Sequence, residues 1–382
     1  MEKSKQKFKN KIANYFDDNQ NIFLYWKGRV ALYALLKAMK VEKGDEVIIP
    51  GYTCVVVPNA IKYLGAKPVY VDIDKETLNT TLLKIKEAVT PKTKVIISQN
   101  TFGLSSEVEE IVAFARENKL WTIEDCTHGF GGTYKGKPNG TYCDAAFFST
   151  QWNKPFSTGV GGFSIVNNSV LIPELINANS ELIKPSKKEV LLLSGLLFAH
   201  KYFINSSTYW GLRKFYRWLS KYNFVLGSSE DKEITTANMP DDYFKDISKT
   251  QIRNGLKSIN KLSQVLEKRK KNAKLFTDFL KKHHKYHVNE RLHDNHSFLK
   301  YPVLVKNRKL FEERAQSKKI QLDNWFCSPI HPVEKKFKLW DIEIDKIPIA
   351  YKVSMQIINL DTDSKNPKKI IQFLENNLDE II

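Results

Sequence analysis

The chain has 382 residues, of which 42% are hydrophobic and 27% charged, the composition of a folded protein long enough for two domains. It has no run of about eighteen apolar residues and no apolar stretch after its charged start, so we expect neither a membrane-spanning helix nor a secretory signal. The four cysteines lack CxxC or metal-ligand spacing, which favours a reduced, cytoplasmic protein without a metal site.

The net charge of +18 is consistent with a nucleic-acid partner, an anionic membrane surface or an anionic substrate. The lysines are spread along the whole chain, as they are on solvated surfaces. The sequence contains no helix-turn-helix, zinc-finger or aromatic–basic RNA-binding pattern. We therefore expect no nucleic-acid partner and no stable insertion into a membrane.

Helical and strand patterns alternate through the first half of the chain. Helices are predicted at 28–40, about 53–64 and 105–118. Strands are predicted at 46–50, 68–72, 94–98, 121–125, 145–149 and 161–166. Strands that are apolar throughout, with helices between them, indicate an α/β fold with a mainly parallel sheet covered on both faces.

The second half indicates an insertion and a smaller domain. The segment 187–224, rich in leucine and aromatic residues, predicts a helical insertion at about 170–225 that packs on the body or on a partner subunit. A basic and aromatic helix that touches a membrane surface is the alternative. Beyond residue 250, a long helix, strands at 297–305 and 357–360 and a closing helix at 366–378 predict an α+β domain. We therefore expect a large domain at 1–250 and a small C-terminal domain at 251–382.

Three side chains that could take part in catalysis lie at or just after the ends of predicted strands. Asp125 ends one strand, Ser149 ends another, and Lys154 lies in the loop after it. Ligands of open α/β sheets bind at the carboxyl ends of the strands. The sequence therefore predicts one surface that collects all three side chains.

A lysine amine and a carboxylate are the two groups that a pyridoxal phosphate enzyme requires. The amine binds the cofactor aldehyde covalently, and the carboxylate keeps the pyridine nitrogen protonated. The Ser149 hydroxyl, the nearby glycines and the helix start at Gly28 could bind a phosphate. Each residue alone is more typical of a solvated loop or a helix cap, but their order along the chain favours the cofactor site.

Several motifs resemble one known family. They are Gly-Asp-Glu-Val-Ile-Ile-Pro-Gly-Tyr-Thr-Cys from Gly44, Leu-Gly-Ala-Lys-Pro-Val-Tyr-Val-Asp-Ile-Asp from Leu64, Ile-Glu-Asp-Cys-Thr-His from Ile123, and the run from Ser149 to Lys154. In this order they resemble the DegT/DnrJ/StrS-type sugar aminotransferases. The resemblance implies fold type I of the pyridoxal phosphate-dependent transferases, with a seven-stranded type of sheet. It covers roughly 25–168, 235–262 and 297–360.

The resemblance also implies roles for individual residues. Lys154 would bind the cofactor and carry protons, Asp125 would pair with the pyridinium nitrogen, and His128 would lie near the ring hydroxyl. Ser149 and the backbone amides of Gly28, Arg29 and Val30 would bind the phosphate. Tyr52 is either a stacking aromatic or a core residue, and Asn238 is the candidate for a contact from the partner subunit. The family commonly has Ser-Gly-Thr at the helix start, whereas this chain has Lys27-Gly28-Arg29, where the Arg29 charge could compensate for the missing hydroxyl.

The function that the resemblance implies is transfer of an amino group, with L-glutamate as donor, to a nucleotide-linked keto-sugar by a homodimer. Such a reaction belongs to cell-surface polysaccharide or amino-sugar biosynthesis. Two alternatives share the fold: a sugar dehydratase, in which histidine replaces the lysine, and a non-catalytic regulatory relative. A nucleic-acid or membrane-surface protein is the alternative from a different class.

Overall fold

The computed structural model describes residues 2–203 and 231–382, which form a seven-stranded sheet, a three-stranded sheet and the helices around them. The strands of the large sheet are β1 (Ile22–Tyr25), β2 (Glu46–Pro50), β3 (Lys67–Val71), β4 (Thr93–Gln99), β5 (Trp121–Asp125), β6 (Ala145–Ser149) and β7 (Gly162–Val166). The strands of the small sheet are β8 (Tyr301–Leu304), β9 (Leu322–Asp323) and β10 (Ile357–Leu360).

The α-helices accompany these strands along the chain. Those before residue 204 are α1 (Glu2–Ala13), α2 (Gly28–Ala38), α3 (Val56–Lys62), α4 (Leu82–Ala88), α5 (Val108–Glu117), α6 (Leu171–Asn179) and α7 (Lys187–Tyr202). Those after residue 230 are α8 (Asp231–Thr235), α9 (Lys249–Ser258), α10 (Leu262–Lys282), α11 (Arg308–Ser317), α12 (Pro348–Gln356) and α13 (Pro367–Glu375).

The large sheet has the strand order β1-β7-β6-β5-β4-β2-β3. The pairings from β6 through β3 are parallel, whereas β7 is antiparallel to both of its neighbours. The carboxyl ends of β4, β5 and β6 therefore meet at one edge of the sheet. This architecture confirms the predicted α/β fold with a mainly parallel sheet.

Both faces of the large sheet are buried, which explains why its strands are apolar throughout. Along β2, Val47 and Ile49 pack with helices α2 and α3 on one face. Ile48 points to the other face and packs with Ile85 of α4 and Ile111 of α5. A strand with a helix layer on each side has no solvent-facing position that needs a polar residue.

The start of α2 lies very close to strands β6 and β7. A Cβ atom on Gly162 would lie 2.3 Å from the Gly28 Cα atom, and a Cβ on Gly28 would lie 3.0 Å from the Phe148 carbonyl oxygen. Only glycine fits at such distances. This close approach brings the N-terminus of α2 against the end of β6.

The small sheet belongs to the C-terminal part of the chain. Strands β8 and β9 both pair antiparallel with β10, and a core that includes Phe276, Tyr301 and Phe373 covers the sheet. This part is joined to the large sheet through Asp72, whose carboxylate accepts the N–H groups of Ile349 and Ala350 at 3.0 and 2.8 Å. The predicted domain boundary at about 250 stays a prediction.

The structure corrects the helix predicted at about 53–64 and describes only part of the predicted insertion. The helix expected at about 53–64 is interrupted, because Thr53–Cys54 pairs in parallel with Ile330–His331 before α3 begins. The predicted insertion contains α6 and α7, but its remainder, residues 204–225, lies outside the described residues. Within residues 2–203 and 231–382, no helix is long and apolar enough to cross a membrane.

Candidate active site

A cavity of about 190 Å³ lies at the carboxyl ends of the central strands. The last residues of β4, β5 and β6, which are Gln99, Asp125 and Ser149, all line it. Lys154 lines the same cavity from the loop after β6. The structure thus brings together the three side chains that the sequence selected, because parallel strands end on the same side of a sheet.

Lys154 is a buried amine with few charges to stabilise its protonated form. Its side chain is buried, and its amino group lies 5.0 Å from the centre of the Trp325 ring. Burial lowers the pKa of Lys154 to about 7, while the negative charge of Asp125 opposes this shift. An amine with this pKa is partly unprotonated near neutral pH and can act as a nucleophile or a base.

Asp125 is a buried carboxylate held in place by the chain that follows it. Its Oδ1 atom accepts the N–H of Thr127 at 2.9 Å. Burial raises the pKa of Asp125, whereas the Thr127 hydrogen bonds and the charge of Lys154 lower it. A cation that bound beside this carboxylate would stabilise the ionised form further.

His128 is a neutral imidazole in an aromatic stack. Its ring lies parallel to Trp325 at 5.2 Å and to Phe326 at 5.4 Å. The N–H of Phe102 donates to Nδ1 at 3.3 Å, so the imidazole proton is assigned to Nε2. Burial, followed by the positive charge of Lys154, lowers the pKa of His128 well below its usual value. His128 lines the cavity and offers it a neutral hydrogen-bond donor.

The start of α2 forms another wall of the cavity. Gly28 and Arg29 both line it. The Arg29 guanidinium forms a buried ion pair with Glu233, so its charge is balanced within the chain. The Val30 side chain packs in the core and its N–H donates to the Lys27 carbonyl at 3.1 Å.

Tyr52 and Asn238 do not line this cavity. Tyr52 is fully buried, with its ring edge-on to Phe326 at 5.2 Å and its hydroxyl accepting the Phe326 N–H at 3.1 Å. Of the two interpretations of Tyr52, a stacking aromatic or a core residue, this position is that of a core residue. Asn238 is exposed in the loop after α8. Its expected contact with a partner subunit stays a prediction.

Three residues near the cavity were not predicted to belong to the site. Trp325 stacks on His128 and faces Lys154. His331 lines the cavity, and its Nδ1 atom accepts the Cys327 N–H at 3.3 Å. Arg269 of α10 is buried and donates from Nη2 to the carbonyl of Asn153, the residue before Lys154, at 3.2 Å. The aromatic pair at 325–326 just ahead of His331 was a usable signal, whereas Arg269 lies in a lysine-rich stretch that predicted a solvated surface.

A buried lysine and a buried carboxylate at the strand ends of a mainly parallel sheet are the arrangement expected of an α/β protein of the aminotransferase type. A family model supports this class directly: the model of the DegT/DnrJ/EryC1/StrS aminotransferase family matches residues 1–187 and 245–372. The chain belongs to this family.

Named relatives are similar to parts of the chain. GDP-perosamine synthase of Escherichia coli O157:H7 is 41% identical over 166 residues, which are 44% of this chain and 45% of that protein. UDP-N-acetyl-3-dehydro-alpha-D-glucosamine 3-aminotransferase of Acidithiobacillus ferrooxidans is 35% identical over 145 residues, which are 38% of this chain and 39% of that protein. The chain thus matches less than half the length of these relatives.

A solved structure resembles the whole fold. The aminotransferase from Psychrobacter cryohalolentis superimposes with a TM-score of 0.75 over 99% of this chain and 91% of that one. The two sequences are 19% identical, so this similarity concerns the fold alone.

Proposed function

We propose that this chain is a pyridoxal 5'-phosphate-dependent aminotransferase that transfers an amino group from L-glutamate to a nucleotide-linked keto-sugar. The observation that carries the proposal is that the buried amine of Lys154 and the buried carboxylate of Asp125 line one cavity. Family membership supports the reaction class. The names of the relatives, both of which concern nucleotide sugars, support the acceptor. Action in the cytoplasm as a homodimer, for cell-surface polysaccharide or amino-sugar synthesis, is part of the same proposal.

The residues around the cavity fit this cofactor. The helix start at Gly28 lies against Ser149, so the helix N-terminus and the Ser149 hydroxyl face the cavity together, where a phosphate could bind. The Asp125 carboxylate suits a protonated ring nitrogen, because an opposite charge lowers the pKa that burial raises. The Nε2 proton of His128 suits the oxygen of the ring hydroxyl.

When bound, the cofactor supplies an aldehyde that takes up amino groups and a cationic ring that withdraws electrons from the reacting carbon. Lys154 would hold the cofactor through its ε-nitrogen and, once released, accept the proton of the donor's α-carbon. A pKa of about 7 makes the same nitrogen able to accept that proton and to return it. Asp125 would keep the proton on the ring nitrogen throughout, with its Oδ1 atom held by Thr127.

The alternatives with the same fold are disfavoured by particular residues. A dehydratase of this family has histidine in place of the lysine, and position 154 is a lysine. A non-catalytic relative would not need a buried lysine, carboxylate and hydroxyl around one cavity. The net charge of +18 favours an anionic acceptor such as a nucleotide diphosphate sugar.

The first experiment tests the covalent attachment. We expect the protein to take up pyridoxal phosphate with a visible absorption band, and borohydride to fix the cofactor on the peptide that contains Lys154. Lys154→Ala should abolish the fixed label. Lys300→Met is the matched control, because Lys300 is also buried and lies 5.6 Å from the centre of the same Trp325 ring. A protein that stays colourless and takes up no cofactor would contradict the proposal.

The second measurement concerns the acceptor. A set of nucleotide-linked keto-sugars is incubated with the loaded enzyme and L-glutamate, and 2-oxoglutarate is measured. Production of 2-oxoglutarate that depends on one keto-sugar supports the aminotransferase. The sugar product decides between the two enzymes, because a dehydratase that removes a sugar hydroxyl also consumes glutamate as its reductant. An amino sugar indicates the aminotransferase, whereas a deoxy-keto-sugar with release of ammonia would indicate the dehydratase instead.

A further inference from the structure

Helix α7 (Lys187–Tyr202) presents large apolar side chains to solvent. Leu191 is 75% exposed, and Phe198 and Tyr202 are each 58% exposed. Their spacing of seven and four residues places them on one face of the helix. Large side chains gathered on one exposed helix face mark an interaction surface more often than a random distribution of surface residues does.

The opposite face of α7 is anchored to the body of the protein. Leu193 is fully buried and packs with Trp26 and Val160. Leu193 and Leu197 also close over Gly159, where any added Cβ atom would lie 2.8 Å from the Leu193 side chain. A capping box at Ser186 defines the helix start. The helix is therefore firmly placed, and its exposed face belongs to the folded structure.

Almost all of this helix lies in a stretch of the chain that the family model does not match. The family model matches residues 1–187 and resumes at 245, so it leaves 188–244 unmatched. We therefore ask whether the exposed face of α7 binds a partner.

Basic side chains surround the apolar face. Lys187 and Lys188 are exposed at the start of α7, and Lys201 is exposed near its end. The neighbouring helix α9, which contacts α7 through Ser194 and Thr250, exposes Arg253 and Lys257.

The acidic residue of α7 does not oppose these cations. The Glu189 carboxylate accepts hydrogen bonds in the capping box at Ser186 and forms an ion pair with Lys245 at 2.7 Å. A partner that fits this surface therefore has an apolar region that contacts the apolar face of α7 and anionic groups that contact the surrounding cations. A second copy of the chain would bring like charges together across the contact.

We propose that α7 and the adjoining end of α9 dock on the surface of an anionic phospholipid bilayer. Leu191, Phe198 and Tyr202 would enter the boundary between headgroups and acyl chains, and the lysines would meet the anionic headgroups. The helix would lie in the plane of the interface without crossing it. This binding activity goes beyond the proposed aminotransferase reaction and does not depend on it.

Flotation of the full chain with vesicles tests the proposal. We expect the protein to float with vesicles made of equal parts phosphatidylglycerol and phosphatidylcholine, and not with phosphatidylcholine alone. Binding should weaken strongly at about 1 M salt, where the Debye length falls to roughly 3 Å.

Two double variants separate the apolar and the charged contributions. Leu191→Ser with Phe198→Ser should lower the partition coefficient at least about tenfold, because two apolar side chains stay in water. Lys187→Glu with Lys188→Glu should lower it by about the same factor. The positions are exposed, so the fold should survive, which circular dichroism and cofactor uptake would verify.

Matched controls use equally exposed positions elsewhere. Leu83→Ser with Met355→Ser alters side chains that are 68% and 52% exposed. Lys309→Glu with Lys318→Glu reverses two exposed charges, one on α11 and one directly after it. Both controls should float like the unchanged protein.

Any one of four results would overturn the proposal. The first is no flotation with anionic vesicles. The second is unchanged flotation of the Leu191/Phe198 variant. The third is a fall in the molecular mass of that variant by sedimentation with no change in flotation, which would assign the face to self-association. Binding to DNA that the Leu191/Phe198 variant retains, without vesicle binding, would likewise exclude the bilayer in favour of a nucleic acid.

Discussion

The reactivity of Lys154 depends on the groups packed around it. Burial lowers its pKa to about 7, and among the positive charges that contribute is that of Arg269. Arg269 also holds the loop, since it donates to the carbonyl of Asn153. Its Nε and Nη1 atoms have no hydrogen-bond partner among residues 2–203 and 231–382. A buried cation with few partners, next to the lysine, is expected to act on both the position and the charge of that amine.

We therefore predict that Arg269→Gln raises the pKa of Lys154, because a nearby positive charge that disfavours the ammonium is removed. Turnover should fall about tenfold, since loss of one hydrogen bond to the loop costs on the order of 1 kcal/mol of positioning. The pKa is measured on the cofactor-free protein, from the pH dependence of the borohydride-trapped reaction of Lys154 with pyridoxal phosphate.

Arg253→Gln is the control, because Arg253 is exposed on the neighbouring helix α9. Arg253→Gln should leave both the pKa of Lys154 and the turnover unchanged. If Arg269→Gln behaves like this control, Arg269 has only a structural role.

Some site residues were visible in the sequence and others were not. Asp125 and Ser149 were visible because each ends a strand whose apolar run is easy to recognise, and parallel strand ends meet. Trp325 reaches the cavity from the C-terminal part of the chain, so its place depends on how the two parts pack. Tyr52 could be assigned to the core only once its contacts with Phe326 were known.

At the scale of elements, the site depends on how closely α2 approaches the sheet. The N-terminus of α2 reaches the end of β6 only because Gly28 and Gly162 lack side chains. Gly162 pairs with Ser149 in the register of β7 and β6, so the same contact sets the position of that hydroxyl.

We predict that Gly162→Ala strongly destabilises the protein, since its Cβ would lie 2.3 Å from the Gly28 Cα atom and the backbones would have to separate. The expected loss in the free energy of unfolding is on the order of 3 kcal/mol, as for overpacking in other cores. Chemical denaturation measures it.

Gly195→Ala in α7 is the contrasting change. A Cβ there meets no atom within 4 Å, and alanine favours a helix interior over glycine by about 1 kcal/mol. This variant should be slightly stabilised. Equal effects of the two substitutions would show that the contact between Gly28 and Gly162 is not tight.

The element boundaries show which sequence signals sufficed. Glu46–Pro50, Trp121–Asp125, Ala145–Ser149 and Ile357–Leu360 match their predicted bounds, because each is a short apolar run. Thr53–Cys54 was missed because its partner Ile330–His331 is far along the chain. In α10, Arg269 falls seven residues after buried Leu262 and seven before buried Phe276, a helical spacing that places it on the inner face.

At the scale of the whole molecule, stability depends on histidines that are buried in the neutral form. Burial lowers the pKa of His296 to about 3 and that of His331 to about 4. Below pH 6.5 the unfolded chain therefore binds more protons than the folded chain. The free energy of unfolding is expected to fall as the pH falls from about 6.5 toward 3.

We predict that His296→Asn reduces this acid sensitivity. With the shifted pKa, His296 alone accounts for about 2 kcal/mol of the stability lost between pH 7.5 and pH 5. Asparagine can still accept the Phe298 N–H, which His296 accepts at 2.9 Å. Urea denaturation of the variant at both pH values should show a smaller difference than in the unchanged protein.

His284→Asn is the control because His284 is exposed, and asparagine tolerates its positive φ of 53°. It should leave the acid sensitivity as it is. An unchanged pH dependence in His296→Asn would show that His296 is not kept neutral by burial.

The sequence by itself determined the class of fold, because apolar strands alternating with helices have one common solution, a mainly parallel sheet covered on both faces. It also determined that Asp125, Ser149 and Lys154 would share an edge of that sheet. The tertiary structure alone decided that Trp325 and His331 line the same cavity as Lys154, that Arg269 binds the loop beside the lysine, and that Tyr52 is in the core. Those contacts join residues far apart in the chain, and no local pattern encodes the packing that brings them together.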